Sequence, residues 1–286
     1  MLRPRWGQTM TIGVIVPRLT DTVMAMLYEA IARACGRTGR IALVATTDEQ
    51  VEGELRAAES LLQRGVDGLI LATARDDDDL PDILAKRSVP FVLALRTDGK
   101  SLSSIGDDRL GGHLLDLGHR RIGIIAGPGY ASSARGRQEG YLRALGEQGI
   151  GPDPNLIVDS TFSIDAGTDA ALTLMRLSSP PTAIFAVNDN TAIGAMSALL
   201  NLGLRMPEDV SLVGYNDIPI VGCLPTPLTT LRVPFDQIAM TALDLLISGR
   251  SRPCEPIQMA APTLIPRRST MANAGKERTA DVTTRG

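Results

Sequence analysis

TIGVIVPRLTDTVMAMLYEAIARACGRTGRIALVAT, residues 11–46, decides the fold. Thr11–Val16 is a short apolar, β-branched run stopped by Pro17, which reads as a buried strand. Met26, Leu27, Ala30, Ile31 and Ala34 then recur at a helical period, with Gly36 and Gly39 as stop signals. Ile41–Thr46 is a second strand. Strand, helix and strand in so few residues predict a right-handed βαβ crossover on a parallel sheet.

The pattern continues outward. Leu55, Ala58, Leu61 and Leu62 mark a helix closed by Gly65, and Asp67–Ala72 is a third strand. Leu80, Ile83 and Leu84 lie on a short helix before a fourth strand at Val89–Leu95. The alternation restarts with a strand at Arg121–Gly127 and a helix over Ala131–Gln148. A strand in LIVDS and a helix over Ala166–Leu177 follow. Next come a strand at Thr182–Asn188, a helix over Thr191–Leu202 and a strand at Asp209–Asp217. The expected fold is α/β: two doubly wound parallel-sheet lobes around a ligand cleft. In open parallel sheets ligands sit beyond the carboxyl ends of strands, so the informative residues should follow each strand.

Composition excludes several classes. The chain has 286 residues, 44% hydrophobic and 21% charged, enough to bury a sizeable core. No apolar stretch reaches the ~18 residues of a membrane span. The N-terminal MLRPRWGQTM has no apolar signal core. The formal charge of -3 argues against binding nucleic acid through overall positive charge. Cys35, Cys223 and Cys254 are scattered, and the only histidines are His113 and His119, so neither a disulfide framework nor a zinc site is expected.

The candidate chemistry is sparse. Asp76–Asp79 fits a hard-cation site or, more simply, the acidic start of the helix carrying Ile83. GPGYAS, residues 127–132, resembles half a dinucleotide loop but places Ser132 where a third glycine is needed. No nucleophile–base pair and no G-x-S-x-G elbow occurs, so no catalytic residue, metal or cofactor is expected. His119, just past Gly118, suits a helix end. Polar residues after strands carry more signal: Arg18, Ser133 and Arg137, Asn188 and Asp189, Asn216 and Asp217. Two arginines and several amides suit a small polar or anionic ligand. Asp189 can equally cap a helix, and Asn216-Asp217 can equally make a turn.

LGHRRIGIIAGP, SSARGRQEGY, PPTAIFAVND, GLRMPEDVSLVGYNDIP and PLTTLRVP occur in one order that resembles the effector-binding core of lactose-repressor-type (LacI/GalR) transcription regulators. The likeness covers residues 11–270. It implies an N-terminal lobe of residues 11–106 plus 233–261 and a C-terminal lobe of 107–232 plus 262–270, joined by three crossovers, with 271–286 as a frayed tail. It implies a cytoplasmic homodimer that couples a small-molecule effector to operator DNA, with no membrane role. The family reads DNA through a helix-turn-helix head ahead of the first strand, and only ten residues precede Thr11 here. A solute-binding protein for transport is the alternative. An enzyme on this fold is opposed by the lack of acid–base pairs.

The resemblance also assigns positions. Arg137 matches a ligand-gripping arginine, Ser133 a hydroxyl position before it, Phe162 and Phe235 pocket walls, and Asn188 an amide after its strand. Asn216 falls where many members carry an aspartate that accepts from sugar hydroxyls. Leu95 and Arg18 stand where Asp is common, and Val23 and Met24 where aromatic residues are frequent. Arg18, Met24, Ser133, Arg137, Phe162, Asn188, Asn216 and Phe235 are therefore the expected ligand-binding residues, in a pocket more cationic than a sugar site. Finally, DDRLGG (residues 107–112) runs straight into HLLDLGHRRI, about five residues short of the family pattern, a loss equal to ~140° of helical rotation. Either that helix starts late, with Gly111-Gly112 in a loop, or the lobe is destabilised.

Overall fold

The computed structural model describes residues 9–48, 50–76, 78–106, 112–248 and 256–273. Asp77, Cys254, DDRLG at 107–111 and the tail beyond Asn273 lie outside the described residues. The chain divides into two compact units: Met1–Asp107 with Tyr130–Ser133 and Pro234–Pro262, and Asp108–Gly129 with Ala134–Val233 and Thr263–Gly286.

Unit 1 is built on a six-stranded sheet: β1 (Thr11–Val16), β2 (Ile41–Thr46), β3 (Gly68–Leu71), β4 (Phe91–Ala94), β5 (Ser103–Gly106) and β11 (Ile257–Ala260). Their order is β11-β5-β4-β3-β1-β2, with every pairing parallel. Parallel strands need crossovers, so helices cover both faces. On one face α2 (Val51–Gln63) and α3 (Leu80–Lys86) bury Ala58, Leu61, Leu80 and Leu84 against Ile15, Leu69, Leu71 and Leu93. α1 (Thr22–Arg37) and α8 (Phe235–Ser248) pack together and against the sheet. Asp21 starts α1 by accepting from the Val23 N–H, and Gly39, at φ 70°, follows its end. Gly36 lies inside α1 and stops nothing. The second strand, β2, lies at the edge of the sheet, and Ile41 is 64% exposed.

Unit 2 repeats the plan with β6 (Ile122–Ala126), β7 (Ile157–Asp159), β8 (Ala183–Ala186), β9 (Ser211–Asn216), β10 (Thr229–Arg232) and β12 (Thr263–Ile265). The order is β12-β10-β9-β8-β6-β7, parallel except for the antiparallel edge strand β12. One face carries α6 (Ile164–Met175) and α7 (Asp189–Asn201); α4 (His113–Asp116) and α5 (Ser132–Glu147) are the other helices of the unit. The α6–α7 contact is backbone-close. A methyl at Gly194 would run into the Ile164 carbonyl, and one at Gly167 into that of Thr191.

The sequence left two outcomes for the short second-lobe helix, a late start or a destabilised lobe, and Gly111 lies outside the described residues. α4 begins only at His113, after Gly112. Gly118, at φ 82°, ends the segment, and the His119 N–H returns to the Leu114 carbonyl. The His119 ring does not serve the helix end. It is buried, with Nδ1 2.9 Å from Thr182 Oγ1 and Nε2 3.1 Å from both Ser211 Oγ and the Met271 carbonyl. Among the described residues no helix is long and apolar enough to cross a membrane.

The two kinds of glycine predict opposite outcomes. Gly194→Ala must push α6 and α7 apart and should cost about 3 kcal/mol, at the upper end for overpacking. Gly36→Ala, with nothing within 4 Å of its new methyl, should gain about 0.5–1 kcal/mol. Urea unfolding of both variants checks the pair.

Candidate functional site

In unit 2 the polar residues gather where β6, β8 and β9 end. Arg137 lies in the second turn of α5 and is buried. Its guanidinium lies 3.8 Å from the centroid of the Tyr215 ring, and Nη1 donates to the Val187 carbonyl at 2.7 Å. Tyr215 is fully buried within β9, so the charge rests on a rigid aromatic face. Burial, stacking and a fixed hydrogen bond together hold the planar fork in one orientation, which suits bidentate recognition of a carboxylate or phosphate.

Asn188 is occupied differently from its expected role. It is the N-cap of α7: its Oδ1 accepts from the Thr191 N–H at 2.8 Å, and the Thr191 hydroxyl closes a capping box. Its Nδ2 donates to the Phe162 carbonyl at 3.2 Å. The amide thus holds Phe162, whose ring packs near Gly127 and Val187. The cap is Asn188, not Asp189. Asp189 is wholly buried, with Oδ1 accepting from Thr230 Oγ1 at 2.6 Å and Oδ2 from the Ile218 N–H at 2.8 Å. Burial raises its carboxyl to about 7, against the opposing pull of those two bonds. Asn216 and Asp217 end β9 at φ 112° and 58°, left-handed backbone that Asn and Asp tolerate better than most residues. Asp217 accepts from Arg232 Nε at 2.7 Å and Arg267 Nη2 at 2.6 Å.

The other expected residues fall in unit 1. Arg18 is exposed just beyond β1, Met24 is buried in the first turn of α1, Ser133 is buried near the start of α5, and Phe235 is buried as the first residue of α8. Arg137, Phe162, Asn188 and Asn216 belong to unit 2. Unit 1 also holds a cluster that the sequence reading missed. Arg96 is buried after β4, with Nη1 donating to the Thr73 carbonyl at 3.1 Å. Arg75 lies 3.8 Å and Arg96 5.9 Å from the centroid of the Tyr130 ring. Glu54, 1% exposed, is raised to about 8 by burial and by the Asp78 carboxyl beside it, opposed by Thr73 and Arg96. Asp78 itself caps α3 by accepting from the Leu80 N–H. The signal for Arg75 and Arg96 was present: both follow strands, as Arg18 does. Leu95, where the resemblance implies Asp, is buried at φ 64°, a strained conformation for a branched side chain.

The Periplasmic binding protein-like domain family matches residues 112–270. The chain is 32% identical over 255 residues to the ribose operon repressor of Haemophilus influenzae, covering 87% of this chain and 76% of that protein. The chain belongs to the LacI family. It is 30% identical to the HTH-type transcriptional repressor PurR of Photobacterium profundum, over 84% of this chain and 74% of that protein. The crystal structure of the lac repressor dimer bound to operator and the anti-inducer ONPF superposes at TM-score 0.83 and 29% identity, covering 93% of this chain and 96% of that one. These LacI-family relatives are transcriptional repressors, not enzymes or transport proteins, and the chain carries the effector-binding domain of such a repressor.

The shifted carboxyl of Glu54 makes a signed prediction. The folded chain keeps its proton to about pH 8, whereas the unfolded chain releases it near ~4.3. The folded state therefore binds more protons across that window, and stability falls as pH rises through it, with a slope of at most ~1.4 kcal/mol per pH unit. His113 and His119, both lowered by burial, act with the opposite sign but are neutral in both states above pH 7. Glu54→Gln should flatten the decline in stability between pH 7 and 8.5, measured by chemical unfolding at stepped pH.

Proposed function

We propose that this chain is the effector-sensing and dimerising core of its repressor. In this reading residues 11–106 with 233–261 and 107–232 with 262–270 act as two lobes that grip a small polar effector. Effector binding shifts the balance between lobe arrangements and thereby operator affinity in the cytoplasm. A ligand can do this only by preferring one arrangement over the other. Homodimerisation is supported by the lac repressor structure, a dimer on its operator.

The effector in this reading is an anion, a carboxylated metabolite related to a sugar. The observation that carries it is Arg137, held by Val187 and stacked on Tyr215 beside the ends of β8 and β9. Asn216, where the resemblance implies aspartate, can both donate and accept and presents no negative charge. Leu95 removes a second acid and Arg18 adds a cation at the third position of this kind. The ribose operon repressor among the relatives supports a sugar-related effector.

Calorimetric titration with ribose, glucose and the corresponding aldonic acids tests the reading. The acids should bind, and the neutral sugars at least tenfold more weakly. Removing one charge-assisted contact, worth ~1.5–3 kcal/mol, makes Arg137→Gln bind the acids roughly 10–100-fold more weakly. Neutral sugars that bind while the acids do not would overturn it.

A further inference from the structure

α4 spans only His113–Asp116. Between α4 and α5, on the sheet face opposite α6 and α7, lies a cavity of about 240 Å³. Its floor is one side chain from each of five strands: Ile122, Phe185, Val213, Leu231 and Leu264. That these point away from α6 and α7 follows from alternation along the strands: the neighbouring Gly123 faces Leu174 of α6, and Gly214 faces Ala192 of α7. Leu145 of α5 forms one wall, and Leu114 and Leu115 of α4 the other.

The polar groups at this cavity are engaged elsewhere. Tyr141 Oη donates to the Ile122 carbonyl at 2.8 Å, and His113 Nε2 is 3.2 Å from Thr270 Oγ1. Asp116 is exposed to solvent. A water inside would find few partners, and a roomy apolar cavity favours an apolar guest. An engineered cavity of ~150 Å³ in another protein takes benzene, so about 240 Å³ suits a guest with two fused rings. The cavity is too small to seat a second copy of the chain, since a stable interface needs ~800 Å² from each partner and this hole admits one or two side chains.

We propose that unit 2 binds one compact, uncharged, aromatic or alicyclic molecule in this cavity, separately from the effector held at the strand ends. Neither the guest nor its site depends on Arg137 or on the anionic-effector reading.

Equilibrium dialysis against naphthalene, paired with thermal unfolding, tests the proposal. One naphthalene per chain is expected, with a melting temperature raised by 2 °C or more at saturation. Val213→Phe and Leu264→Trp fill the cavity from the floor. Each should weaken binding at least tenfold, and the half-buried position of Leu264 gives a variant that folds even if β9 does not accept Phe. Two results would overturn it: the wild type binds no naphthalene, or the filled variants bind as well as the wild type.

Discussion

The ends of the strands in unit 2 are tied together by one buried carboxyl. Asp189 follows β8 closely, accepts from Thr230 in β10 and from the backbone after β9, and so joins three neighbouring strands at their carboxyl ends. Space for it exists only because residue 214 is glycine; a methyl there would strike Asp189 Oδ1. Everything polar nearby depends on this placement. Asn188, one residue earlier, is left to cap α7 and hold Phe162, and Asn216 and Asp217 are set in left-handed backbone beside it. An acid in that position costs desolvation, which is why its carboxyl titrates near neutrality. Two hydrogen bonds, from Thr230 and the Ile218 N–H, offset some of that cost.

Most of the strands legible in the sequence were those buried on both faces, with the edge strand β2 read from its own apolar run. β1, β3, β6, β8 and β9 are near-continuous apolar runs because helices cover both sides of a parallel sheet. β5 reads as SSIG and hides its role, since Ser103 and Ser104 are buried by hydrogen bonding rather than by hydrophobicity. β10, β11 and β12 are three- or four-residue pieces placed by partners far away in sequence; Ile257 pairs with Ser103 and Thr230 with Ile265. No local period can report such pairing. LIVDS, read as a single strand, begins with a 3₁₀ turn because Pro154 cannot donate and Asp153 caps the Asn155 N–H.

The site divides in the same way. Arg137 stood out in the sequence because it follows a strand and carries charge. Its platform, Tyr215, looked like one more strand residue, and only the fold brings positions 78 residues apart within stacking distance. The cap fell to Asn188 rather than Asp189 because the chain geometry at a helix start decides which of two adjacent polar residues turns inward. Glu54 was invisible for the opposite reason. A charged residue early in an amphipathic helix normally faces water, and its burial beside Asp78 and Arg96 depends on loops that close over it.

α4 starts at His113, buries Leu114 and ends at the Gly118 turn, and an unfilled volume lies between it and α5. That volume opens onto Val213 and Leu231. Tyr215, two residues beyond Val213 on the same face of β9 and paired in register with Leu231, carries the Arg137 guanidinium. One strand therefore serves both ends of unit 2, with an apolar hole against its middle and the charged anchor against its last turn of pleat. A guest that stiffened β9 at Val213 would act on the residue that orients Arg137, and by linkage any effector that fixed Arg137 would act back on the cavity.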